Sequence, residues 1–267
     1  MHQLLHTIIL AALEAGKAIM TVYENDDFDV NIKADDSPVT KADLAANDVI
    51  TRHLDSTGIP ILSEEGPAIP YEERKNWKYL WIVDPLDGTK EFIKRNDEFT
   101  VNIALVENGV PILGVVYAPA LNEMYYSSRE NGSFKAHPTL NSSLKEILSS
   151  SLQLPLPTRH TSYRIVASRS HPSAETRDFI EAEEKKHEKV ELISKGSSLK
   201  LCMVAEGTAD CYPRFAPTME WDTAAGQAIC LYAGAEVFDL KQQTPMRYNR
   251  ENLLNDWFIV RRKTKRI

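Results

Sequence analysis

The chain has 267 residues, 43% of them apolar or aromatic and 26% charged, a balance that supports one large domain or two medium ones with a sizeable core. Its formal charge of -7 excludes a polyanion such as DNA or RNA as the main partner, because no basic excess exists to release counterions. Three cysteines, Cys202, Cys211 and Cys230, lack any C-x-x-C spacing, which excludes a disulfide framework or thiolate zinc centre and suggests buried free thiols in a reducing cytoplasm.

The first predicted element is an amphipathic helix, since Leu4, Leu5, Ile8, Ile9, Ala12, Ala15 and Ile19 recur at helical spacing. Glu14 ends its apolar run, and no basic flank or small-residue cleavage site surrounds it. No stretch is expected to approach the roughly 18 to 20 apolar residues of a membrane span. A second helix is expected from about Thr40 to Leu54, with Thr40 as N-cap and Asp43 in the first turn. "IPILSEE" and "KYLWIVDP" then read as short apolar strands that run straight into acidic residues, and Phe99 to Ala136 alternates as an antiparallel meander. The Ser- and Pro-rich stretch from about 138 to 160 marks a boundary between residues 1–137 and 138–267. Beyond it, "YRIVAS", "KVELIS", "ADCYPR" and "GAEVFD" alternate with helical stretches near 173–187, 197–207 and 222–233, the pattern of an α/β half. The charge run "EAEEKKHEK" is the solvated face of a helix.

Four acidic places follow apolar sequence and precede a turn: Asp43, the pair Glu64 and Glu65, the pair Asp84 and Asp87, and Asp222. A carboxylate at the end of a buried strand costs several kcal/mol if nothing cationic compensates it. Lysines and arginines are scarce around these stretches. Several carboxylates with a backbone carbonyl are the donor set of a hard divalent cation such as Mg2+, and a pair of such ions suits in-line attack on a phosphoryl group.

"VTKADLAAN", "ILSEEG", "LWIVDPLDGTKEFI", "EFTVNIALVENGVPILGVVYAPA" and "MEWDTAAGQAI" resemble, in that order, the motifs of the magnesium-dependent, lithium-sensitive phosphatases of the inositol monophosphatase superfamily. The similarity spans roughly residues 36 to 238. After D-P-L-D-G-T, "KEFIKRN" and the downstream "GSSLKLCMVAEGTADCYPRFAPTMEWDTAAG" resemble the bacterial 3'(2'),5'-bisphosphate nucleotidases rather than the inositol phosphatases. The implied activity is hydrolysis of adenosine 3',5'-bisphosphate to AMP and phosphate, in sulfate assimilation. An inositol monophosphatase or sugar bisphosphate phosphatase is the alternative within the superfamily, and a regulatory protein- or RNA-binding relative is the alternative outside catalysis.

The resemblance further implies a layered αβαβα fold of mixed α/β class, with the antiparallel sheet and most metal ligands in residues 1–137 and Asp222 with the nucleotide contacts in 138–267. It implies that Glu64, Asp84 and the Leu86 carbonyl hold one Mg2+, that Asp84, Asp87 and Asp222 hold a second, and that a third could bind near Glu64 and Glu65. Asp43, Thr89 and Glu64 are the implied catalytic residues, with Thr89 and Asp43 orienting the attacking water. Gly88 and Thr89 offer amides to phosphate at a helix start. Ser197, Ser198, Lys200, Arg214 and His171 are the implied nucleotide contacts, Arg214 because its fork can grip two phosphate oxygens. The expected partner is a small nucleotide, not a polymeric nucleic acid. The expected protein is a cytoplasmic monomer or homodimer without a membrane-spanning segment, peripheral at most at the inner face of the membrane.

Overall fold

Alternation along one strand sets the layers. In "YLWIVD", Trp81 and Val83 point into one apolar cluster while Leu80 and Ile82 point into another, so a strand covered on both faces reads as a continuous apolar run. The computed structural model describes residues 1–25, 31–32, 38–157, 160–167 and 173–262. Within these, the chain runs α1 (His2–Tyr23), β1 (Asn31–Ile32), β2 (Pro38–Val39), α2 (Lys41–Asp55), β3 (Ile61–Ser63), α3 (Tyr71–Arg74) and β4 (Tyr79–Asp87). It continues through α4 (Thr89–Ile93), β5 (Thr100–Glu107), β6 (Val110–Ala118), β7 (Glu123–Ser128), β8 (Gly132–Ala136), α5 (Leu144–Ser150) and β9 (Leu152–Gln153). Then come β10 (Tyr163–Ala167), α6 (Ala174–Glu184), β11 (Val190–Ser194), α7 (Leu199–Glu206), β12 (Cys211–Arg214), α8 (Glu220–Tyr232), β13 (Ala235–Asp239), β14 (Thr244–Pro245) and β15 (Phe258–Arg262).

A seven-stranded sheet takes β3 to β9 in sequence order, and a six-stranded sheet has the order β11-β10-β12-β15-β13-β14. Helices α1 and α2 cover one face of the first sheet, α7 and α8 lie between the two sheets, and α6 packs on β12. The result is the αβαβα layering that the motifs imply. The stretch 138–160 contains α5 and β9, and β9 pairs with β8 at the edge of the first sheet. Strand β15, which the sequence reading did not mark, sits centrally in the second sheet between β12 and β13.

Small residues let α8 approach closely. A Cβ on Gly114 of β6 would lie 2.6 Å from the Ala225 carbonyl oxygen and 2.8 Å from Ala228 Cβ, so the "AAG" that follows Trp221 and Asp222 serves packing. By length and composition α1 does reach what a membrane span requires, contrary to the sequence expectation, because its lone Glu14 and Lys17 barely dilute it. Its apolar stripe, including Ile8, Ile9, Ala12 and Ile19, is fully buried in the core. The three cysteines are buried and free.

Candidate active site

Strand β4 delivers its acidic residues through an irregularity. Asp84 pairs with Asn102 and Asp87 with Thr100, so three steps on β4 match two on β5. One extra residue in the ladder is a β-bulge. In a regular strand, side chains three apart face opposite ways; the bulge allows Asp84 and Asp87 to serve one site. Asp84 Oδ1 accepts from the Leu86 amide at 3.0 Å, closing the tight turn. Gly88 follows with φ = 93°, and a Cβ there would sit 3.2 Å from the Glu98 carbonyl oxygen, so only glycine makes this turn without strain.

Two other elements bring carboxylates to the same place. Strand β3 runs parallel to β4, and the Glu64 amide donates to the Val83 carbonyl at 3.1 Å, which seats Glu64 beside Asp84. Asp222 lies in the first turn of α8 and reaches back to the Met219 amide at 2.8 Å. One oxygen each from Glu64, Asp84 and Asp222 lie within 4.8 Å of one another. Asp87 stands outside that trio: its Oδ2 accepts from Ser197 Oγ at 2.5 Å and from the Ser198 amide at 2.6 Å. Glu65 lies in the turn after β3, also outside the trio.

Burial and mutual repulsion shape the charge. Burial, followed by the neighbouring Glu64, Asp87, Asp222 and Asp43, pushes Asp84 well above the usual carboxylate range. Burial and the Asp87 charge push Asp222 up to about 8. Among the described residues no ion pair reaches Asp84, Asp87 or Asp222. A buried all-carboxylate donor set of this kind fits a hard, oxygen-preferring divalent cation, which supplies the missing positive charge.

Next to the trio, Thr89 Oγ1 donates to Asp43 Oδ1 at 3.2 Å. Asp43 Oδ2 is occupied by the Thr40 amide and hydroxyl, at 2.8 and 2.6 Å, in a capping box for α2. The same carboxylate therefore caps a helix and holds a threonine, and burial raises its pKa.

A cleft of about 180 Å3 opens from Asp87, Gly88 and Asp222 toward Lys200, Tyr212 and Arg214. Lys200 is buried, with 7% exposure, although a helix lysine ordinarily projects into solvent. Its Nζ donates to the Ser197 carbonyl at 2.7 Å and the Lys195 carbonyl at 3.3 Å, and burial lowers its pKa to about 8. Arg214 donates one Nη2 bond to the Pro217 carbonyl at 3.0 Å, and its buried Nε has no hydrogen-bond partner among the described residues. Ser197 and Ser198 line the cleft, but their hydroxyls are engaged by Asp87, Thr100 and Asn102. His171 lies outside the described residues.

Sequence reasoning missed Thr100 and Asn102, which touch this serine pair, and Tyr212, Thr218 and Phe258, which line the cleft. The available signal was "FTVNIAL", where a threonine and an asparagine interrupt an otherwise apolar strand beside the acidic turn. In "KEF", Phe92 is core, packed on Tyr23 and Phe99, whereas Glu91 lines the cleft and Lys90 is exposed.

Carboxylates from β3, β4 and α8 converging in an αβαβα fold, beside a cleft with two cationic side chains, define a phosphatase of the layered sugar-phosphatase type. The inositol monophosphatase family matches residues 1–264, and the chain belongs to that family. It is 48% identical over 261 residues to the 3'(2'),5'-bisphosphate nucleotidase CysQ of Escherichia coli O6:H1, covering 96% of this chain and 99% of that protein. The crystal structure of CysQ from Bacteroides thetaiotaomicron, a bacterial member of the inositol monophosphatase family, is 50% identical, with a TM-score of 0.88 over 97% of each chain. The extragenic suppressor protein suhB from Bartonella henselae is 25% identical, with a TM-score of 0.74 over 98% of this chain and 94% of that one.

Proposed function

We propose that the protein is a Mg2+-dependent 3'(2'),5'-bisphosphate nucleotidase that hydrolyses adenosine 3',5'-bisphosphate to AMP and phosphate. The observation that carries this reading is the pairing of the Glu64, Asp84 and Asp222 carboxylates with a cleft that Asp222 lines together with Lys200 and Arg214. A substrate with two phosphates needs one to react and one to be gripped, and the near-full-length likeness to bacterial nucleotidases supports the nucleotide as the body between them.

On this reading Glu64, Asp84 and the Leu86 carbonyl would hold one cation, and Asp84, Asp222 and Asp87 through its Oδ1 a second, with Glu65 available to a third. Divalent cations bound there supply the charge that polarises the phosphoryl group and acidifies water. The chain's own residues then direct the attack. Thr89 commits its hydrogen to Asp43, so its oxygen faces the attacking water as an acceptor. A proton leaving that water passes to Thr89 Oγ1 as the threonine hydrogen moves to Asp43, whose buried carboxylate is a stronger base than a solvated one. The Gly88 turn aims the amides that begin α4 at the transferred phosphate, and Lys200 and Arg214 bind the phosphate that stays. Lithium inhibition, a place in sulfate assimilation, a cytoplasmic or membrane-peripheral location and a monomeric or homodimeric state belong to the same reading.

Turnover of adenosine 3',5'-bisphosphate measured beside inositol 1-phosphate tests the substrate class. The bisphosphate should be strongly preferred, and a preference for inositol 1-phosphate overturns the assignment.

A further inference from the structure

The Ser197–Ser198 turn, which leads into α7 and its Lys200, belongs to the second half of the chain but is bound to the first half by a continuous polar chain. Thr100 Oγ1 lies 2.5 Å from Ser197 Oγ and 2.8 Å from Ser198 Oγ. The Asn102 side-chain amide lies 2.7 Å from Ser198 Oγ and 3.2 Å from Thr100 Oγ1. Ser197 Oγ reaches Asp87 Oδ2 at 2.5 Å, and the Ser198 amide reaches the same oxygen at 2.6 Å. Thr100, Asn102 and Ser198 are 0, 1 and 2% exposed, so none of their hydrogen bonds is exchanged for bulk water.

Counting hydrogens gives the chain a direction. A carboxylate only accepts, so Ser197 donates to Asp87 and accepts from Thr100. At the other end, Asn102 Oδ1 accepts from Ser198 Oγ at 2.7 Å. Asn102, Ser198, Thr100, Ser197 and Asp87 thus form one connected series. Ser197 holds φ = 53°, a left-handed conformation that costs a non-glycine residue energy and is sustained by these contacts. That conformation also turns the Ser197 carbonyl to Lys200 Nζ at 2.7 Å.

We propose that Thr100 and Asn102 are positioning residues for the reaction: their chain through Ser198 and Ser197 fixes Asp87 and Lys200 relative to one another. One buried pair, touching neither cation nor nucleotide, thus sets the affinity for both. The proposal rests on the nucleotidase reading, because it assigns Asp87 to the cation and Lys200 to the nucleotide.

Thr100→Val removes the central hydroxyl with little change of shape, Thr100→Ser keeps it, and Ser198→Ala breaks the chain one link away. Calorimetric titration of each protein with Mg2+ alone, and separately with the product AMP at saturating Mg2+, reads the two affinities without turnover. Thr100→Val and Ser198→Ala should each weaken both by about 10-fold, the scale on which supporting residues act on a metal centre. Thr100→Ser should return both to near the wild-type values. The proposal fails if either affinity is unchanged in the Thr100→Val and Ser198→Ala proteins, or if Thr100→Ser is as impaired as Thr100→Val. A wild-type protein that binds Mg2+ but not AMP overturns it together with the nucleotidase reading, whereas wild-type binding of both with no effect of the variants overturns it alone.

Discussion

The two sheets contribute to the site in different ways. Strands β5 and β6 of the first sheet are buried along nearly their whole length, clamped between α1 on one side and α8 on the other. Strand β11 of the second sheet is only partly covered, and its Leu192 is 57% exposed. The first sheet carries Glu64, Asp84 and Asp87 at the ends of its strands; Arg214 ends strand β12 of the second, and Lys200 stands in the first turn of α7 between the sheets. Charges that must stay close against their own repulsion need a scaffold that cannot relax, and β3 and β4 provide it by hydrogen bonding up to the acidic residues themselves. On the proposed reading, the Arg214 contact to the nucleotide tolerates more give, because the ligand itself helps to order it.

The largest effect that would sharpen this contrast is expected at Asp84. Asp84→Asn keeps the shape of the turn but removes the most buried charge of the cluster, and kcat should fall about 1,000-fold or more. The same change relieves repulsion from Glu64, Asp87 and Asp222, so the melting temperature of the cation-free protein should rise; a variant that is inactive and less stable would argue that Asp84 is structural. A change on the second sheet's side should behave differently. Lys200→Met preserves the buried stem and removes the charge, and should raise KM for the bisphosphate about 10-fold while kcat changes less, since a charge-assisted contact to the non-reacting phosphate is lost. Equal losses in kcat and kcat/KM would place Lys200 at the reacting phosphate instead.

The smallest expected effect concerns pH. Burial and the neighbouring Asp87 push Asp222 up to about 8 in the folded, cation-free protein, from 3.8 for the ordinary group, so folding favours its protonated form. That contribution is complete below about pH 4 and is lost as pH rises toward 8. A bound cation removes this disadvantage by holding the carboxylate ionised. The rise in melting temperature on adding saturating Mg2+ should therefore be small at pH 5.5 and grow to several degrees by pH 8.5, as differential scanning calorimetry can check. A shift that shrinks with pH would remove Asp222 from the cation's ligands.

Much of the fold could be read locally. The helical spacing of Leu5, Ile8, Ile9 and Ile19 located α1, and Thr40 with Asp43 located the start of α2, because both signals depend on neighbours a turn apart. Strand β15 escaped because its "FIVRR" lies among charged residues and owes its place to β12 and β13, which precede it by roughly 45 and 20 residues. Among the site residues, the acidic turn was legible because carboxylates after an apolar strand are costly anywhere. Thr100 and Asn102 were not, since a polar residue in a strand says nothing by itself about what stands opposite.

The sequence by itself determined the family motifs, the acidic candidates and the order of helices and strands, because turn chemistry, periodicity and the cost of buried charge are short-range properties. Only the tertiary structure decided that Asp87 leans on the Ser197–Ser198 turn while Glu64, Asp84 and Asp222 form the tight group, and that Lys200 is buried. These depend on a bulge of one residue in β4 and on how closely α8 can approach β6 across Gly114, distances of an ångström or two that arise where segments far apart in the chain meet.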